Sequence, residues 1–259
     1  AGSFGQFLMV PVESWLIGSA GWQMALVVLG AVALAIVPFG RGLKEPAAAP
    51  AAAAHRQSVG AALREAFGYP SFRLLTAGYF VCGFQVVFIG VHLPSYLEDA
   101  GLAPQVATMA LMLIGLFNVF GTYGVGVLGQ RLPKRHLLAA IYLLRALAIV
   151  VFLAVPLTPW SVYVFSAAIG LLWLSTVPPT NAIVAQIFGP QYMSMLGGFV
   201  FLSHQIGSFL GVWLGGVLYD ASGSYDIVWW LSVALGVFAA LINLPVRETA
   251  IARPVLGAT

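Results

Sequence analysis

Apolar residues along this chain come in long blocks and do not alternate with polar ones. No residue from Ala100 to Gln130 carries a charge, and after Arg145 none does until Asp220. Between these blocks a short polar hinge, GVGVLGQRLPKRH (Gly124–His136), holds Arg131, Lys134 and Arg135. A helix in a soluble domain carries a polar stripe, whereas blocks without one, at about 20 residues each, predict spans of a bilayer. Length and charge place eight of them. They are residues 1–17 (interrupted by Pro11 and Glu13), Trp22–Phe39 after a tight turn at Gly18–Gly21, 72–97, 104–130, 137–155, 161–185, 194–218 and 227–246. Residues 41–71 are the longest polar stretch and include an Ala/Pro run at Ala47–Ala54. Within it Ser58 predicts the N-cap of a short helix, Val59–Phe67, whose apolar face suits a membrane surface.

Charge gives the layout a direction. If the spans alternate, one side receives Arg41, Lys44, Arg56, Arg64, Arg73, Arg131, Lys134, Arg135, Arg247 and Arg253, ten of the eleven Lys and Arg residues. The opposite loops hold Glu98, Asp99, Asp220 and Asp226. The positive-inside rule makes the basic side cytoplasmic, so the expected location is the cell's inner (plasma) membrane, with the long linker and the C-terminus inside.

Composition agrees: 61% of the residues are hydrophobic and 7% charged, with mean hydropathy +0.97. Soluble domains have about 25% charged residues. The formal charge of +3 does not point to nucleic acid, because the cations lie in loops and not along one helical face. One cysteine, Cys82, excludes an internal disulfide and any multi-cysteine metal site, and no cofactor or metal is expected. The chain opens on Ala1 without a charged leader, so no signal peptide is expected and the chain reads as starting partway through a longer protein.

Polar residues inside the spans are the candidates for chemistry. Arg145 lies about 12 Å into its span at a rise of 1.5 Å per residue. An Arg at that depth costs about 2.5–3.5 kcal/mol and needs a polar partner. Two roles fit it: contact with an anionic substrate or a proton relay, and a structural tie to backbone carbonyls or a helix C-terminus. His204 fits either a proton-responsive group or an interhelical hydrogen bond. His92, nearer the acidic end, fits an interface residue. Asn118, Thr122 and Asn181 are candidates for the lining of a cavity, or for helix-to-helix bonds. Pro178–Pro179 predicts a kink just before Thr180 and Asn181 that frees backbone carbonyls. Ser203, Gly207, Gly211 and Gly215 recur every four residues and predict close approach of a second helix; Gly115, Gly121, Gly124, Gly126 and Gly129 crowd toward the hinge.

These residues resemble a known family. The hinge is similar to the second-half loop signature of major facilitator superfamily transporters, G-x-x-x-D-R-x-x-[KR]-R, with Gln130 where the acid usually stands. The opening GSFGQFLMVP…GW and HQIGSFLGVWLGGVLYDASGSYD resemble the bacterial monocarboxylate-porter and oxalate/formate-antiporter-like branch. The resemblance implies an all-α polytopic membrane protein with a partial major facilitator fold. In that fold residues 1–40 are the last two helices of the N-terminal bundle, 41–71 the central linker, 72–246 the C-terminal six-helix bundle and 247–259 the tail. It implies a rocker-switch secondary carrier of small organic anions by proton symport or exchange, completed by N-terminal helices missing from this chain and seated in the lipid bilayer. Arg145, His204, Asn118, Thr122 and Asn181 would then face the substrate, and Gly126, Gln130, Arg131, Lys134 and Arg135 would gate the cytoplasmic side. The Asp and Arg that animal monocarboxylate carriers place in helix eight are replaced here by Asn118 and Thr122, so an anion's cation must come from Arg145, from His204 or from the missing half. A drug or sugar exporter and a non-transporting sensor are the alternative readings. No HExxH, no intramembrane aspartate pair and no Ser–His arrangement suggests an enzyme.

Overall fold

The computed structural model describes residues 2–42 and 58–251, and every regular element among them is helical. The Ala/Pro run at Ala47–Ala54, together with Lys44, Arg56 and Arg253, lies outside the described residues. In chain order the helices are α1 (Gly2–Leu34), α2 (Ile36–Gly42), α3 (Val59–Gly68), α4 (Pro70–Asp99), α5 (Pro104–Leu128), α6 (Lys134–Ala154), α7 (Pro159–Leu172), α8 (Val177–Phe188), α9 (Met193–Ser222) and α10 (Asp226–Asn243). Among the described residues seven helical stretches are long and apolar enough to cross a membrane.

The difference from eight arises at the N-terminus. The first two expected spans share one helical stretch, Phe4–Gly40, of 37 residues, as two helices that meet at a kink. Straight, it would reach roughly 55 Å, against a hydrocarbon core of about 30 Å. It is not straight: Gly21 leaves the helix at φ 80°, ψ 161°, a conformation that glycine adopts without a Cβ clash. The predicted four-residue turn is thus a one-residue break, because Gly18–Ala20 contain nothing that prevents helix. The first half of α1 lies along α5, where Gln6 Nε2 donates to the Leu111 carbonyl at 3.4 Å and Ser14 meets Thr108 at 3.1 Å.

The remaining spans start and stop where their ends are chemically marked. Ser58 caps α3, its hydroxyl accepting from Ala61 N–H at 3.3 Å, as the sequence predicts. Pro70, Pro104 and Pro159 open α4, α5 and α7 in the first turn, where a missing N–H removes no helical bond. Gly223, left-handed at φ 69°, closes α9. One expectation is corrected by the same rule. Pro178–Pro179 do not kink a continuous helix; they form the first turn of α8, and the break lies ahead of them at 173–176.

Packing follows the small residues. α4 lies against α9, α5 against α7, and α10 against α6 and α4. A Cβ at Gly207 would sit 2.0 Å from the Phe80 carbonyl oxygen, and one at Gly211 2.5 Å from that of Phe84. At Gly215 it would meet the His92 ring at 2.5 Å. The stripe on α9 therefore brings two backbones into van der Waals contact, as its spacing predicts. Gly121 does the same for α5 against α7, where a Cβ would lie 1.8 Å from Leu171 O.

Bonds between distant segments fix the antiparallel order. Arg247 N–H donates to Ser71 Oγ, Arg135 N–H to Glu248 Oε1, and Ile251 N–H to Ile187 O, so the starts of α4 and α6, the end of α8 and the segment after α10 share one end. That end carries Arg73, Arg131, Lys134, Arg135 and Arg247. At the other end Tyr225 stacks on Tyr219 at 4.5 Å and packs edge-on against Tyr96 at 6.2 Å, among Asp99, Asp220 and Asp226. Burial first, then the Asp99 carboxylate, push the Tyr225 phenol above its usual range.

Candidate functional site

The break between α7 and α8 leaves backbone groups without helical partners in the middle of a span. In hydrocarbon each such group costs several kcal/mol unless paired. Here two neighbouring helices supply the partners, and a third meets a side chain of the break. Arg145 of α6, 1% exposed, donates from Nε and Nη2 to the Leu172 carbonyl at 3.1 and 2.6 Å, and from Nη2 to the Trp173 carbonyl. The guanidinium fork thus closes the carbonyl end of α7, where the helix dipole favours a cation. Asn118 of α5, fully buried, takes the opposite polarity: its Oδ1 accepts from Leu174 N–H at 3.0 Å and from Thr122 Oγ1 at 3.0 Å. Thr176, the last residue of the break, meets Cys82 Sγ of α4 at 3.1 Å.

A wider polar network surrounds this clamp. Gln85 Oε1 accepts from Arg145 Nη1 at 3.4 Å, and Gln85 Nε2 donates to Ser232 O of α10 at 2.9 Å. Arg145 also lies 5.5 Å from the centre of the Tyr142 ring, whose hydroxyl donates to Gly78 O at 2.7 Å. His204 of α9, 6% exposed, stacks on Phe201, packs 5.1 Å from Tyr79 and reaches Cys82. Its Nδ1 lies 3.2 Å from Gln205 Oε1 and 3.4 Å from Ser208 Oγ. One buried network therefore joins α4 to α10.

Of the expected substrate-facing residues, Arg145, Asn118, Thr122 and His204 converge on this network, and Asn181 does not. Asn181 is exposed on α8, and its Oδ1 lies 3.7 Å from where a Cβ on Gly197 of α9 would stand. His92 bonds the Val212 carbonyl through Nε2 at 3.0 Å, which makes it a tie between α4 and α9. Cys82, Tyr79 and Tyr142 were not marked by the sequence, since each passes as an apolar residue in an apolar block. The signal is spacing: Gly78, Tyr79, Cys82 and Gln85 fall at helical intervals along α4, and Tyr142 stands one turn before Arg145 on α6.

The expected gating residues gather at the basic end. Gln130 and Arg131 are exposed in the loop after α5, and Gly126 is half-buried one turn before it. Lys134 and Arg135 are not in the loop; they form the first turn of α6, an unfavourable place for cations. Glu248, an acid that the sequence reading did not single out, compensates. Its Oε1 accepts from Arg135 N–H at 2.8 Å and its Oε2 lies 3.7 Å from Lys134 Nζ. A cleft of about 450 Å³ opens beside it, lined by Arg131, Gln186 and Arg247 among others.

This arrangement, a bundle of antiparallel spans with a broken helix and a glycine-rich turn into a basic loop, agrees with comparison to known proteins. Residues 1–212 match the family model described as Major Facilitator Superfamily. The chain belongs to that superfamily. This major facilitator chain is 26% identical over 264 residues to an uncharacterized MFS-type transporter, YcxA, of Bacillus subtilis, covering 94% of this chain and 61% of that protein. It is also 26% identical to monocarboxylate transporter 13 of Rattus norvegicus, over 92% of this chain and 56% of the relative. Human monocarboxylate transporter 11 is 26% identical as well, over 88% and 50%. The major facilitator chain thus spans between half and about three-fifths of the length of these curated relatives. The family is one of multi-pass membrane transporters, not of enzymes.

Proposed function

We propose that this chain is the C-terminal part of a secondary active carrier for small organic anions of the monocarboxylate type, moved with a proton or in exchange by alternating access. In this reading residues 1–40 are the last two helices of the N-terminal half, 41–71 the linker, 72–246 the C-terminal half and 247–259 its tail. The basic end faces the cytoplasm, where Gly126, Gln130, Arg131, Lys134 and Arg135 gate. Arg145 carries the reading. It is the one cation far from either end of the described spans, and it stands where a helix is interrupted, with His204 of the same network as the proton-responsive partner. The printed names of the rat and human relatives support the choice of anion. Asn118 and Thr122 line the cavity from the network, and Asn181 lines it from α8, apart from the network.

A second reading has its own observation. The carbonyls of Leu172 and Trp173 engage the Arg145 fork, which suits a structural role and hence an exporter of neutral or cationic compounds. Uptake by the full-length carrier in proteoliposomes separates the two. Labelled monocarboxylates, oxalate and neutral sugars are offered with and without a pH gradient, to the parent and to Arg145→Gln. Anion uptake that responds to the gradient and falls at least tenfold in a folded Arg145→Gln carrier is expected. Absence of anion uptake by the parent would transfer the reading to the exporter.

A further inference from the structure

Between α4, α9 and α10 runs a groove that neither the polar network nor the basic loop uses. It encloses about 510 Å³ and is lined by Arg73, Thr76, Ala77, Phe80 and Phe238, with Phe67 of α3 at its mouth. On α4 these positions recur at three, four and seven residues, so Arg73 and the groove floor share one helical face. The floor runs from Arg73 to Val81, about 12 Å along the axis at 1.5 Å per residue. Arg73 stands one turn inside the start of α4 and is exposed. The apolar floor therefore extends from the membrane surface into the hydrocarbon, with a cation at its shallow end.

The polar atoms on the floor have been turned away. Thr76 Oγ1 donates to the Phe72 carbonyl at 2.8 Å, and Ser203 Oγ donates to Thr76 O at 2.9 Å and Val200 O at 2.7 Å. Water in the groove would find few partners, whereas a hydrocarbon chain would fill it without loss. Among the residues that line the groove the one charged side chain is that of Arg73. A leaflet of anionic lipid offers phosphate at that depth and acyl chain below it.

We propose that this groove is a binding site for an anionic phospholipid, with the headgroup phosphate on Arg73 and one acyl chain against Ala77, Phe80 and Phe238. The test uses the full-length carrier, purified in detergent, and native mass spectrometry with phosphatidylglycerol and phosphatidylcholine of the same chains. Phosphatidylglycerol is expected to be retained about fivefold better, the preference that one basic residue contributes near an anionic surface. Arg73→Gln removes that preference, while Arg73→Lys keeps most of it. Ala77→Phe, which fills the groove, lowers retention of both lipids. If Ala77→Phe does not fold, the Gln and Lys pair decides alone. Equal retention of the two lipids by the parent overturns the proposal. So does an undiminished preference in Arg73→Gln, or competition by glycerol 1-phosphate as effective as by the intact lipid. Inaccessibility of the groove in the full-length carrier, read as no labelling of a cysteine at Ala77 by a lipid-soluble maleimide, overturns it as well.

Discussion

At the scale of single residues, the α7–α8 break makes Asn118 and Arg145 partners of opposite polarity. Asn118 supplies an acceptor for one orphan N–H, and Arg145 supplies donors for two orphan carbonyls. Asn118→Leu should therefore destabilise the carrier by about 1–3 kcal/mol, because Leu174 N–H is left buried and unpaired. Thr122→Val, which removes only a donor to Asn118, should cost less than about 1 kcal/mol. Thermal unfolding in detergent, followed by tryptophan fluorescence, measures both, and equal losses would contradict this division of roles. Arg145→Lys keeps the charge but not the fork, so it should lower stability nearly as much as Arg145→Gln. These pairings could not be read from the sequence. Arg145 and Asn118 stood out as polar residues in apolar blocks, but their partners are backbone atoms 27 and 56 positions away. A carbonyl has no letter in a sequence, so these backbone ties had to wait for coordinates.

At the scale of helices, close approach between α4 and α9 depends on missing side chains. Gly207→Ala should destabilise by about 1–3 kcal/mol, since its Cβ would press on the Phe80 carbonyl and the two helices must separate. Gly216→Ala meets nothing within 4 Å and should be neutral or stabilising by less than about 1 kcal/mol. The same unfolding assay ranks the two, and a larger loss at Gly216 would refute the packing argument. Most of this level was legible. Spans of α4, α5, α6, α9 and α10 follow from long apolar blocks, that of α6 broken once by Arg145, and a four-residue repeat of small residues has one geometric use. The prolines were harder: Pro178–Pro179 can end one helix or open the next, and only the position of the preceding orphan carbonyls tells which. Gly21 was read as part of a loop because glycine marks turns, yet the chain needs one such residue to leave the helix and resumes it at once.

For the whole molecule, the two ends differ in sign, and the tail after α10 folds back across the basic end. In a Cys82→Ser background, cysteines placed at Gln130 and Ser224 should react with a membrane-impermeant maleimide from opposite faces of sealed vesicles. Reaction of both from one face would overturn the antiparallel order. Cys82, buried beside Thr176, should stay unreactive until the protein unfolds. The charge pattern already predicted this polarity, because the Lys and Arg residues between apolar blocks gather at one set of loops and Glu98, Asp99, Asp220 and Asp226 at the other.

The clamp on the α7–α8 break also has a direction in time. Cys82, Gln85, Asn118 and Arg145 all precede residues 172–176 in the chain. A ribosome delivering this protein to the membrane therefore releases the interrupted helix last among these partners. Its exposed carbonyls and amide arrive beside side chains that are already inserted and waiting. A permuted gene that made α7 and α8 first would present a span with unpaired backbone to bare lipid, and would depend on holding factors that the natural order makes unnecessary.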